Sequence, residues 1–160
     1  MGLRRKKRAP FSHDPEKNFL SRVRHEGDCI VWTGSRIGNG YSQFRVHGKQ
    51  VLVHRYAWER VNGPIPDGMF IDHICHNRTC VKIDHLRLAS SSENLSNRKG
   101  PHPTSNSGVR NVSFHQGRWA VRVTKNRKPH YFGSYDTLDE AKEVAQRARK
   151  EMFGEFAGRG

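Results

Sequence analysis

The segment Ile71 to Asn94, IDHICHNRTCVKIDHLRLASSSEN, constrains this chain more than any other. Two kinds of donor are interleaved in it. Asp72, His73 and Asn94 offer hard oxygen donors and a titratable base, whereas Cys75, Cys80 and His85 are the soft ligands that zinc prefers. The spacing Cys75-x4-Cys80-x4-His85 puts three ligands within eleven residues, and a tetrahedral site needs a fourth. Cys29 is the remaining cysteine and opens a strand-like run, so it is the favoured fourth ligand. His76 competes, but its neighbour Cys75 would crowd the same ion. Four protein ligands leave no position for water, which makes such a zinc structural.

A staple is what the composition calls for. Only 34% of the 160 residues are hydrophobic, a thin supply for one large core. Three cysteines, an odd number, argue against a secreted disulfide framework and for a metal. The net charge of +14 anticipates a polyanion, nucleic acid first and an anionic membrane surface second, rather than a small-molecule substrate. No apolar run is long enough to span a bilayer. No basic-then-apolar secretion signal opens the chain, so a cytoplasmic location is expected.

The spacing of apolar and turn residues divides the chain into a basic tail (1–16), a catalytic domain (17–99), a Pro- and Ser-rich linker (100–107) and a second module (108–160). The tail carries Arg4, Arg5, Lys6, Lys7 and Arg8. In the catalytic domain, Cys29–Trp32 and Tyr41–Val46 read as strands, the latter entering a hairpin at His47-Gly48-Lys49. His54–Val61 reads as a helix with Tyr56, Ala57 and Val61 on one face, stopped by Asn62-Gly63-Pro64. Met69–His73 and Leu86–Leu88 read as strands. Ser90 and Glu93 form a capping box that opens a helix running towards Lys99.

Phosphodiester cleavage needs a base for water, a cation on the phosphate, and positive surroundings for the developing charge. His73 is the natural base, since histidine has a reference pKa near neutrality. Asp72 and Asn94 suit Mg²⁺ or Mn²⁺. Arg36, Arg45 and Arg55 are candidates to assist the scissile phosphate.

Asp72-His73, then His85, then Asn94 resemble the three parts of the HNH motif of ββα-metal nucleases, in the form found in phage and intron-encoded homing endonucleases. The likeness extends from about Cys29 to Lys99. It implies His73 as general base, Asp72 and Asn94 as divalent-metal ligands, and cleavage that leaves a 5′-phosphate and a 3′-hydroxyl. The order His73, Cys75, Cys80, His85, Asn94 also resembles the His–Cys box nucleases, whose cysteines and second histidine bind structural zinc. Many HNH proteins carry Asn where His85 stands here. His54-Arg55 resembles a His-Arg pair common in this group, which implies a supporting role for Arg55.

The second module changes character. Val109–Phe114, Arg118–Thr124 and Lys128–Tyr135 read as three strands, followed by a helix opened by the capping box Thr137–Glu140. Its apolar stripe is Ala141, Val144, Ala145, Ala148 and Met152, and Gly154 ends it. Val109 to Tyr135 holds six Lys or Arg and no acid, while the module's six acids lie from Asp136 to Glu155. A nucleic acid should meet the sheet and not the helix.

This pattern resembles an AP2-type DNA-binding domain over Gly108 to about Ala157. The likeness implies that Arg110, Phe114, Arg118, Arg122, Thr124 and Tyr131 face double-stranded DNA, and that Trp119, Val121, Val123, Phe132 and Tyr135 face the helix. Val112 and Arg122 depart from the plant members, so the target sequence does not transfer.

The expected class is α+β: a zinc-stapled ββα-metal finger followed by a small three-stranded antiparallel sheet packed on one helix. The expected activity is a site-specific homing-type DNA endonuclease with catalytic Mg²⁺ or Mn²⁺ and structural Zn²⁺. The rival reading is a noncatalytic zinc- and AP2-type DNA-binding regulator, which would not need Asp72, His73 and Asn94 together. An RNA-binding sheet fits less well, lacking paired stacking aromatics. Monomer and homodimer both remain open; one site per chain would nick one strand.

Overall fold

The structure, a computed structural model, describes residues 14–158, so the basic run at residues 4–8 lies outside the described residues. Short helices alternate with small sheets, consistent with the expected mixed class. The chain divides into two compact units. One contains residues up to Ile65 together with His73–Arg87; the other contains Pro66–Asp72 together with Leu88 onward. This division does not follow the stretch 100–107, because the short helix after Leu88 groups with the C-terminal sheet.

The first unit begins with α1 (Pro15–Leu20). Asp14 caps it by accepting from the Glu16 and Lys17 amides at 2.9 and 3.5 Å, and proline takes the first helical position. The boundary expected at residue 16 therefore falls inside a helix. β1 (Val23–Glu26) pairs antiparallel with β2 (Cys29–Trp32) through a turn with Gly27 at φ 57°. β1 was not legible, since Val23 is its one apolar residue. β3 (Gln43–Val46) and β4 (Lys49–Leu52) form the expected hairpin. His47 and Gly48 both have positive φ (46° and 80°), which matches the strand twist.

α2 (Val53–Asn62) buries Val53, His54 and Ala57 and ends at Gly63, φ 82°. Val61, expected on the buried face, is 63% exposed, because the buried stripe lies on the first turns.

An aromatic cluster forms the core of this unit. Phe19 lies 6.0 Å from Trp32, 6.2 Å from Phe44 and 5.3 Å from Tyr56 between ring centroids, and Phe44 meets Tyr56 edge-on at 4.9 Å. The Arg60 guanidinium covers Phe19 and pairs with Glu16.

β5 (Phe70–His73) and β6 (Leu86–Ala89) pair as a two-stranded sheet. In the second unit α3 (Ser91–Ser96) has the expected reciprocal cap of Ser90 and Glu93, but it ends at Ser96, short of Lys99. β7 (Val112–His115), β8 (Arg118–Lys125) and β9 (Lys128–Tyr135) form an antiparallel sheet in that order. Turns at Gln116-Gly117 and Asn126-Arg127, all at positive φ, join them.

α4 (Leu138–Phe153), capped by Thr137 and Glu140, sets Ala141, Ala145 and Ala148 against Val112, Val121 and Val123. Small residues on the helix let it lie close to branched residues on the sheet. Trp119, Phe132 and Tyr135 pack on the same side, as expected.

Phe19→Ala removes the ring that three other aromatics share, and should cost about 3–5 kcal/mol. Urea unfolding of the zinc-loaded protein checks it. A cost below about 1 kcal/mol would mean that α1 is not part of this core.

Candidate functional site

The four expected soft ligands converge. The ligand atoms of Cys29, Cys75, Cys80 and His85 all lie within 4.8 Å of one another. Cys29 opens β2, and the loop carrying Cys75 and Cys80 is laid along that strand. The Val81 amide donates to the Ile30 carbonyl at 2.7 Å, and the Trp32 amide donates to the Thr79 carbonyl at 2.9 Å. His76, at φ 58°, is not in the cluster.

His85 Nε2 lies 3.0 Å from Asp28 Oδ2. A carboxylate only accepts, so Nε2 carries the proton and Nδ1 presents its lone pair inward. Nδ1 sits 3.6 Å from both Cys29 Sγ and Cys80 Sγ. Tetrahedral zinc with Zn–S of about 2.3 Å and Zn–N of about 2.0 Å gives a sulfur–nitrogen separation of about 3.6 Å. The donor set therefore fits zinc in both chemistry and spacing.

Asp28 was not anticipated. It lies far from the loop in sequence, and nothing marks it until β1 and β2 turn back. Hydrogen bonds from Lys82 (2.6 Å) and His85 hold its pKa below the ordinary value. Burial raises the thiols of Cys75 and Cys80, the latter to about 12. Such thiols become good ligands when a cation stabilises the thiolates.

His73 is buried, at 5% exposure. Its Nε2 lies 3.1 Å from the Cys80 carbonyl oxygen. That oxygen only accepts, so Nε2 donates and Nδ1 keeps the lone pair. The ring is walled by Tyr41 at 6.0 Å and by His54 at 4.9 Å. Of the His54-Arg55 pair, His54 is the one whose ring meets His73; Arg55 is the next residue on α2. Burial, then the charges of His73 and Arg55, push the His54 pKa down to about 3. His54 is thus a neutral wall and not a second cation.

In the second unit Asp72 is buried, and both its carboxylate oxygens accept from Asn97 Nδ2 at 2.9 and 2.8 Å. A buried carboxylate is where a cation gains most, and its oxygens are hard donors that fit Mg²⁺ or Mn²⁺. Asn94 sits mid-helix on α3, half-buried. Sequence reasoning picked Asn94 and missed Asn97, three positions on and just past the helix end. The residues at both positions are Asn, and the spacing alone offered that signal.

The sheet face away from α4 carries most of the residues expected to meet DNA. Arg118, Arg122 and Thr124 alternate with the buried Val121 and Val123, and Tyr131 pairs with Arg122 across β8 and β9. Two expected contacts are corrected. Arg110 is 8% exposed and its guanidinium donates to the carbonyls of Ser96, Arg98 and Ala157 at 2.6, 3.0 and 3.0 Å, so it points into the unit. It precedes β7, and the left-handed Asn111 (φ 66°) breaks the alternation that was projected through it. Phe114 pairs with Trp119 and its ring meets that of Trp119 at 4.7 Å, tilted by 53°, which puts it on the helix side of the sheet.

The HNH endonuclease family matches residues 51–96, from β4 to the end of α3. Protein 3.8 of Escherichia phage T7 is 41% identical over 119 residues, covering 73% of this chain and 94% of that protein. The chain carries an HNH endonuclease domain over residues 51–96. The HNH endonuclease L560 of Acanthamoeba polyphaga mimivirus is 31% identical over 120 residues, 74% of this chain and 62% of the viral protein. Protein 7.7 of phage T7 is 43% identical over 67 residues, 42% of this chain and 52% of that protein. No solved structure matches the chain. An HNH endonuclease domain supports a nuclease activity. Among the described residues no helix is long and apolar enough to cross a membrane.

The purified HNH protein should carry about one zinc per chain. Chelation, or Cys80→Ser, should release it and unfold the first unit, because the binding energy of such a site is largely folding energy. Metal analysis with circular dichroism checks this; unchanged thermal stability after complete zinc removal would count against a structural site.

His54 adds a pH dependence. Its folded pKa lies below the unfolded 6.5, so the unfolded chain takes the proton first. Its contribution is absent above pH 6.5; below it, stability falls towards about pH 3 by at most about 1.4 kcal/mol per pH unit. His54→Gln should flatten the stability curve below pH 6.5, measured against wild type at saturating zinc. Parallel curves would show that His54 does not titrate this way.

Proposed function

We propose that the chain is a site-specific, homing-type DNA endonuclease that hydrolyses one phosphodiester bond per site with His73 as general base. The observation that carries this reading is the tautomer of His73. Its Nε2–H donates to the Cys80 carbonyl, which in the neutral ring puts the basic lone pair on Nδ1. In a ββα-metal finger, Nδ1 takes a proton from water as the hydroxyl forms its bond to phosphorus. The bond from phosphorus to the 3′ oxygen breaks with its electron pair on oxygen, and that alkoxide takes a proton from a solvent water to give a 3′-hydroxyl, leaving a 5′-phosphate on the other side.

Asp72, with Asn94, would hold one Mg²⁺ or Mn²⁺, which supplies charge neutralisation at the phosphate. Arg55, next to His54 on α2, would contribute positive charge beside His73 in the first unit.

The C-terminal sheet binds double-stranded DNA in an AP2-like manner, through Arg118, Arg122, Thr124 and Tyr131. Support comes from a cavity of about 880 Å³ in the second unit, between α3 and the sheet. Arg98, Arg122 and Arg127 line it, together with Ser91, Thr124 and Asn126, and none of its lining residues is acidic. Such a surface favours a phosphate backbone.

Supercoiled plasmid cleavage in Mg²⁺ tests the reading. Wild type should convert plasmid to nicked or linear product, and EDTA should stop it. His73→Ala should slow cleavage by about 100- to 10,000-fold while DNA affinity stays unchanged. Cleavage by His73→Ala at the wild-type rate would remove His73 as the base. Tight DNA binding with no cleavage by either protein would favour the noncatalytic regulator.

A further inference from the structure

Arg110 has a side chain that neither the sheet nor the reading above accounts for. It is buried, and it donates on both sides of one residue. Nη2 reaches the Ser96 carbonyl at 2.6 Å and Nη1 reaches the Arg98 carbonyl at 3.0 Å. The residue between them is Asn97, whose side-chain amide holds both oxygens of Asp72. Nη1 also binds the Ala157 carbonyl at 3.0 Å, beyond the end of α4. The backbone carbonyl of Arg110 itself accepts from Arg149 Nη1 at 3.2 Å.

The local geometry explains why a clamp is needed there. α3 is six residues long, and Asn97 leaves the helical conformation at φ −75°, ψ 64°. A short helix leaves its last carbonyls without helical partners. The planar guanidinium fork adds a second donor to the Ser96 carbonyl, which also accepts from the Arg98 amide at 2.8 Å, and binds the Arg98 carbonyl beyond the helix, so it holds the backbone on both sides of Asn97. Gly158 closes the arrangement: a Cβ there would fall 2.5 Å from Arg110 Nη1 and 2.5 Å from the Arg98 carbonyl oxygen.

We propose that Arg110 is a positioning residue for the divalent-metal site, setting the Asp72 carboxylate through Asn97 instead of reading DNA. This rests on Asp72 being a metal ligand. Residues that orient metal ligands typically change affinity or activity about 10- to 100-fold when removed. Lysine would keep the charge but lacks the fork that spans two carbonyls.

The test is Mn²⁺ binding to full-length, zinc-loaded protein, read from the electron paramagnetic resonance of free Mn²⁺, beside plasmid cleavage across Mn²⁺ concentrations. Arg110→Ala and Arg110→Lys should weaken Mn²⁺ binding and raise the Mn²⁺ needed for half-maximal cleavage by about 10- to 100-fold. DNA affinity measured in Ca²⁺ should not change. Gly158→Ala, which crowds the clamp without removing it, should move Mn²⁺ affinity in the same direction and decides the matter if Arg110→Ala does not fold.

Asp72→Ala separates the two levels. If it abolishes Mn²⁺ binding while both Arg110 variants bind like wild type, the clamp is wrong and the metal-ligand reading stands. If Asp72→Ala itself binds Mn²⁺ like wild type, the ligand assignment falls and the clamp with it. Equal loss of DNA and Mn²⁺ binding in step with lost helical signal would make Arg110 a general stabiliser and overturn the proposal.

Discussion

The first unit depends on a convergence of three thiols and one imidazole. Burial alone would keep Cys80 protonated, and its pKa rises to about 12. The four ligand atoms nevertheless gather within 4.8 Å of one another, and His85 Nδ1 sits 3.6 Å from two of the sulfurs, close to what tetrahedral zinc requires. Everything between Ile74 and His85 is fixed by this cluster and by the loop's hydrogen bonds to β2. The loop itself buries few apolar side chains: Cys80, Val81 and, at its end, Leu86. Without the cluster, the unit would rely on the aromatic core around Phe19 and Trp32, which lies under the hairpin and α2.

That staple also sets the chemistry. Cys80 supplies a thiol to the cluster and a carbonyl to His73. The residue that joins the candidate zinc cluster therefore also fixes which nitrogen of His73 carries its proton. A shift of Cys80 backbone would release Nε2 and let the imidazole take either tautomer. His54 guards the other side of the ring. Because burial keeps it neutral, it fills space beside His73 without adding a second positive charge there. Neutral packing on one face and a carbonyl on the other are enough to orient an imidazole whose sequence neighbours say nothing of either.

Local rules read the sequence well where one short stretch decides the outcome. Both capping boxes, the His47-Gly48 hairpin, the Cys29 ligand and the α4 stripe follow from spacings of a few residues. Contacts set by register or by distant partners were not legible. β1 carries one apolar residue in four, so it exists because β2 pairs with it. Asp28 acquires its role only once that turn brings it to His85. Arg110 and Phe114 failed for a shared reason: alternation was carried across Asn111, where the backbone turns left-handed and the period of two is lost. Asn97 was missed because helical spacing favours positions inside α3, whereas the side chain that reaches Asp72 belongs to the residue leaving it.

The inward turn of Arg110 changes how the basic sheet should be weighed. Six Lys or Arg lie from Val109 to Tyr135, and one of them is spent inside, leaving five. Of these, Arg118 holds Asp136 at 2.9 Å, with both side chains well exposed. An exposed pair of this kind contributes only about 0–1 kcal/mol. A phosphate can therefore displace Asp136 at little cost, and Arg118 stays available to a polyanion although it is paired in the free protein. Arg122, on the same face and opposite Tyr131, lines the acid-free cavity beside α3. The exposed arginines of the sheet, Arg118 and Arg122, thus lie on β8, while the buried guanidinium of Arg110, two residues before β7, binds backbone carbonyls on both sides of Asn97. One residue type carries both tasks because the same planar fork that suits phosphate oxygens also suits backbone carbonyls, and burial decides between them.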